Sequence, residues 1–165
     1  MLIGPLLEWG EPFRGLMKHP LVLPYLSELI GESMRLDHDY VILARPGAEG
    51  GTLHEGNTPY NPACSYHFRN GRFYNGLVVV SFTLVDVGAG DGGFCCIAGT
   101  EAFTHGTMPW SGRHERRALF YKYSPGYQSW SNDYRAADEA MDETQRRLME
   151  PPYVHKRRPL VEVAP

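Results

Sequence analysis

The sequence contains seven histidines, and neutral imidazole is the commonest protein ligand for transition metals, so metal chemistry is the first to consider. Two of the seven stand out. His54 lies in Gly50-Gly51-Thr52-Leu53-His54-Glu55-Gly56-Asn57 and His105 in Glu101-Ala102-Phe103-Thr104-His105-Gly106-Thr107. Each follows an apolar or small-residue approach and leads into a glycine, which lets the backbone come close to a bound group. His19, His67, His114 and His155 have no such setting and are read as structural or surface residues. His38, between Asp37 and Asp39, suits the hydrogen-bonded wall of a site. Hydrolytic chemistry has less to stand on. No serine occupies a nucleophile elbow, and Cys95 and Cys96 sit in an apolar run without a partner base. With Cys64 they make three cysteines, matching neither a disulfide framework nor a zinc spacing, and they read as reduced thiols.

The elements that must position these residues are mostly strands. Residues 1–31 have apolar positions recurring at three and four (Phe13, Leu16, Met17, Leu26, Leu29), divided by Pro20 and Pro24 into short helices, with Gly31 as a stop. Residues 35–44 alternate and end at Arg45-Pro46-Gly47, the pattern of a strand followed by a turn. Residues 47–62, rich in Gly, Pro and Asn, read as a loop. Leu77 to Val87 is a β-branched apolar run bounded by Asn75-Gly76 and Gly88, the strongest strand signal in the chain. Phe94 to Ile97 and Ala118 to Tyr123 are further strands. No long helix separates them, so antiparallel pairing is expected. Ser131 or Asn132 is placed to cap a helix running to Leu148, which Pro151-Pro152 ends. The 165 residues divide as one domain, with N-terminal helices over 1–34, a β core over 35–130 and a C-terminal helix and tail over 131–165.

Composition agrees with this and excludes several classes. Eighteen glycines and 13 prolines are costly inside helices and useful between short strands, which argues against a helical bundle and for a turn-rich β or mixed fold; with the elements above, a mainly β fold with flanking helices is expected. A net charge of −3 argues against nucleic acid as a partner, and no stretch approaches the roughly 18 apolar residues of a membrane-spanning helix. Met1 to Leu7 is apolar but lacks a basic region, is interrupted by Pro5 and runs into Glu8. It does not read as a secretory signal, so a cytoplasmic or other intracellular location is expected.

Three segments together resemble the phytanoyl-CoA dioxygenase family. They are Leu77 to Gly99, with Asp91-Gly92-Gly93-Phe94-Cys95-Cys96-Ile97-Ala98-Gly99 matching a Gly-Gly-x-hydrophobic-Pro-Gly segment except for Ala98 in place of proline; Thr104-His105-Gly106-Thr107; and Arg116-Arg117-Ala118-Leu119. The resemblance spans most of residues 35–130. It implies a double-stranded β-helix, the cupin-like jelly-roll barrel, and iron(II)- and 2-oxoglutarate-dependent oxygenase activity on a small organic substrate. It also implies His54 and His105 as iron ligands and Arg116 as the anchor for 2-oxoglutarate. Two imidazoles and a carboxylate hold iron on one face and leave positions open for the keto acid and dioxygen. An arginine fork suits the remote carboxylate of the keto acid. By strand alternation Arg117 faces the other way.

Two departures from the family pattern shape the expectation. The family's His-x-Asp places a carboxylate two residues after the first histidine, where this chain has Gly56; Glu55 is adjacent, but in an extended segment it would point to the opposite face from His54 and could coordinate only after a local twist of this Gly-rich loop. A His-x-Gly site resembles the arrangement in iron/2-oxoglutarate halogenases, where a halide takes the vacated position. It also fits an inactive homologue acting as a binding or scaffold protein. The second departure is length. Only Thr100 to Thr104 separate Gly99 from His105, and five residues span at most about 17 Å, too little for the strands that family members place there. The chain also begins where family members already have an N-terminal region. The resemblance therefore implies a shortened, incomplete barrel with an exposed sheet edge, to be covered by a second copy or another partner.

Overall fold

The structure, a computed structural model, describes residues 1–54, 60–99, 104–131 and 135–154. Nine strands are described among them. These are β1 (Leu2–Ile3), β2 (Met34–Ala44), β3 (Gly51–His54), β4 (Tyr66–Arg69), β5 (Arg72–Asn75), β6 (Val78–Thr83), β7 (Gly93–Cys96), β8 (His105–Met108) and β9 (Arg116–Pro125). Three α-helices, α1 (Glu11–Leu16), α2 (Leu23–Ile30) and α3 (Glu143–Leu148), and one 3-10 turn, Leu7–Trp9, accompany them. One sheet has the order β1-β2-β9-β6, a second β3-β8-β7, and β4 and β5 form a separate hairpin. All pairings are antiparallel.

The core lies between the first sheet and the helices. Leu119, Tyr121 and Tyr123 of β9 alternate onto that face and join Leu36 and Val41 of β2, Met17, Leu26 and Leu148. Leu36 and Val41 are five residues apart, and in an uninterrupted strand they would point to opposite faces. A register shift lets both point inward: Leu36 pairs with Tyr123 and His38 with Lys122, so Asp37 is the extra residue of a β-bulge. The tyrosine hydroxyls tie the sheet to the first helices, Tyr121 donating to the Phe13 carbonyl at 2.9 Å and Tyr123 to the Met17 carbonyl at 2.7 Å. Asp39, on the same face, accepts the Leu6 and Leu7 N–H groups and pairs with Arg135.

Two parts differ from the sequence reading. The Gly-rich stretch read as a loop over 47–62 contains β3, whose four residues are all exposed and so carry no burial alternation. The helix expected from residue 131 is only α3. Asp142 and Gln145 form a reciprocal capping box, each backbone N–H donating to the other's side chain at 2.9 Å. Upstream, Asp138 accepts the Ala140 and Met141 N–H groups in a turn instead.

The strands β2, β9 and β6 of one sheet and β3, β8 and β7 of the other make a double-stranded β-helix. A full jelly roll has eight strands, and six are described here. The shortfall lies between β7 and β8, which form a direct hairpin: Cys96 is opposite His105, and the Ile97 N–H donates to the Thr104 carbonyl at 2.9 Å. Among the described residues β6 and β7 are therefore edge strands. No helix among these residues is long and apolar enough to cross a membrane.

Candidate metal centre

The second sheet brings the two singled-out histidines together. His54 ends β3, His105 begins β8, and they are direct cross-strand partners with ring centroids 4.4 Å apart. His54 is exposed and His105 half-buried. The Thr52 carbonyl lies 2.9 Å from His54 Nδ1 and can only accept, so Nδ1 carries the proton and Nε2 presents a lone pair. A metal-binding histidine is commonly oriented in this way. Phe94 packs against His105 at 5.9 Å between ring centroids. No third His, Cys, Asp or Glu among the described residues joins the pair in a metal-binding cluster. Glu55 and Gly56, where the sequence raises the question of a third ligand, lie outside the described residues.

Arg116 is the first residue of β9 and sits opposite Ala44. It points away from the helical core and is 4% exposed, and its Nη1 has no hydrogen-bond partner among the described residues. Burial lowers its pKa by disfavouring the charged form. β7 closes over it: a Cβ on Gly93, whose φ is +94°, would lie 3.1 Å from Arg116 Nε. Arg117 is turned out, its side chain 58% exposed and 3.0 Å from Glu115. Along β7, Gly93 is three residues from Cys96, the partner of His105, or about 10 Å.

The face shared by Arg116 carries residues that periodicity alone did not mark. Phe120 stacks on Tyr40 (5.1 Å, 14° between planes), Tyr40 on His38 (5.9 Å, 18°) and His38 on Trp130 (5.1 Å, 24°). The wall role read for His38 has a physical basis in Asp37, whose Oδ1 is 2.7 Å from His38 Nδ1 and 2.9 Å from the Ser131 N–H. Its Oδ2 accepts from the Trp130 N–H at 2.9 Å and from Arg35 at 3.1 Å. Burial alone would raise the Asp37 pKa, but the hydrogen bonds from His38, Trp130 and Ser131 outweigh it and hold the carboxyl below its usual range. The available signal was the polar and aromatic set His38, Tyr40, Phe120 and Lys122, alternating with the apolar core positions of the same strands.

No family model matches the chain, and no curated protein matches it. Solved structures do. HygX from Streptomyces hygroscopicus, with nickel and 2-oxoglutarate bound, matches at a TM-score of 0.69 and 16% identity over 93% of this chain and 78% of that one. The same protein with iron bound gives 0.69 over 93% and 80%, and with nickel, 2-oxoglutarate and hygromycin B bound 0.65 over 93% and 82%, each at 16% identity. The chain shares the fold of HygX. At this identity the likeness is one of architecture, and the double-stranded β-helix is the part of the sequence reading that it establishes.

Proposed function

We propose that this protein is an iron(II)- and 2-oxoglutarate-dependent oxygenase of the phytanoyl-CoA dioxygenase type, acting on a small organic molecule. The observation that carries the reading is Arg116. A buried guanidinium whose Nη1 has no partner among the described residues is costly unless a ligand completes it, and a carboxylate accepts from both arms of the fork. The histidine pair on the facing sheet supplies two nitrogen donors for a metal, and HygX, which shares the fold, has been seen with iron and with 2-oxoglutarate.

On this reading His54 and His105 hold iron and Arg116 holds the remote carboxylate of the keto acid. When bound, iron and 2-oxoglutarate supply the oxidation of an unactivated carbon, coupled to decarboxylation of the keto acid. The chain contributes position. Thr52 fixes the His54 tautomer, the β3–β8 register fixes the spacing of the imidazoles, Gly93 leaves room for the guanidinium, and Phe94 lends His105 an apolar neighbour. Addition of iron(II) and 2-oxoglutarate without oxygen should produce the weak visible charge-transfer band of the chelate, and His105→Ala should abolish it. A wild-type protein without that band would contradict the proposal and leave the binding or scaffold reading.

Gly56 favours a second reading, halogenation, because it vacates the position at which the family has its carboxylate. Succinate formation that requires chloride or bromide would support it; halide-independent turnover would assign the hydroxylase reading.

A further inference from the structure

Lys122 has no place in the machinery described so far. It lies on β9 six residues beyond Arg116, about 20 Å along the strand and on the same side of the sheet. Its Nζ is 5.4 Å from the ring centroids of both Tyr40 and Trp130, and among the described residues it has no ion pair. The carboxylate in its neighbourhood, Asp37, is already engaged: Arg35 matches its charge, and His38 and the N–H groups of Trp130 and Ser131 occupy its oxygens. Cys64, also nearby, is kept as a neutral thiol because burial raises its pKa. Aromatic faces stabilise a cation only in part, so among the described residues the ammonium is a donor whose charge no anion of its own matches.

Its surroundings define what would complete it. The rings of Phe120, Tyr40, His38 and Trp130 form a continuous stacked row, and Trp130, at the far end, is 49% exposed. β8 and β9 diverge from the same connection, residues 109–115, so His105 and Lys122 both lie on the side of Arg116 away from that turn. Lys122 thus stands beside the exposed end of the aromatic row, on the sheet face that also carries Arg116.

We infer that Lys122 and the aromatic row of Tyr40, His38 and Trp130 form a substrate subsite for a monocarboxylate carried on a flat, apolar body. The inference deepens the oxygenase reading and rests on it for the word substrate. One ammonium balances one carboxylate, whereas a phosphate monoester brings −1.5 to −2 charges beside the ionised Asp37.

The test uses the full chain, metal-free and without 2-oxoglutarate, with benzoate as the probe and Trp130 fluorescence as the readout. Benzoate should quench saturably and benzamide, its neutral isostere, should not. Lys122→Met should weaken benzoate by about tenfold or more, and Lys122→Arg should retain the affinity within about threefold, which separates lost charge from lost folding. Trp130→Phe should remove the signal. Benzoate bound by Lys122→Met within twofold of wild type, benzamide bound as well as benzoate, or phenyl phosphate bound as tightly as benzoate would each overturn the assignment. Because no iron is present, a missing charge-transfer band would refute the oxygenase reading without altering this result.

Discussion

At the scale of single residues, the chain concentrates charge where strands change register. Asp37 is the extra residue of the β2 bulge, and its side chain is fully enclosed, bonded to Arg35, His38 and the backbone of residues 130–131. Its pKa is lower in the folded protein than in the unfolded chain, so the unfolded state binds more protons as pH falls through the carboxylate range. Its stabilisation is complete above the unfolded value near 4 and is lost below it, as pH falls through the lower folded value. Asp37→Asn, which leaves Arg35 buried beside a neutral amide, should destabilise the protein by about 2–4 kcal/mol at neutral pH. The mutant should also lose part of the acid-limb slope. Denaturant midpoints measured from pH 7 down to pH 3 check both effects. The sequence reading placed His38 in a wall but had no means of seeing the bulge, because a one-residue shift in pairing leaves the local pattern of types unchanged.

At the scale of elements, the site depends on β7 lying close over β9. Gly93 has φ +94°, and a Cβ there would press on Arg116 Nε at 3.1 Å. Gly93→Ala should therefore cost stability by about 1–3 kcal/mol and weaken 2-oxoglutarate binding by displacing the guanidinium, read by thermal melting and by titration of the iron-loaded protein. Legibility also varies by element. The strands β2 and β9 were readable because each is long and buries at least one face, and β6 because it is strongly β-branched and half-buries one face, although it ends at Thr83 instead of running to Val87. Arg116 and Arg117 were correctly separated by period-2 alternation. β3 was not legible: Gly51-Thr52-Leu53-His54 is short and exposed on both sides, and becomes a strand only because β8 pairs with it. The C-terminal helix was read too long because alanines raise helix propensity over 136–140, whereas the local hydrogen bonds of Asp138 and the capping box at Asp142 start the helix only at Glu143.

At the scale of the whole molecule, the shortened β7–β8 connection leaves six jelly-roll strands among the described residues and makes edges of β6 and β7, in addition to β1 and β3. Against an eight-stranded jelly roll the five residues between Gly99 and His105 made that shortfall legible, since chain reach is a hard limit. Which strands would remain as edges was not legible, because that depends on pairing order. Val79 on β6, with Ile97 just past β7, is exposed, and unpaired apolar edges are templates for further pairing. Sedimentation velocity should show concentration-dependent association, reduced by Val79→Lys; a monomer at all concentrations would mean that the edges are protected.

The central claim, that the fold and its histidine pair serve a 2-oxoglutarate-dependent metal centre, is tested most directly at Arg116. In iron(II)-loaded protein kept free of oxygen, 2-oxoglutarate should bind wild type saturably and Arg116→Met about tenfold to a hundredfold more weakly, while the variant retains its fold by circular dichroism. Equal affinity of wild type and Arg116→Met for 2-oxoglutarate would contradict the account.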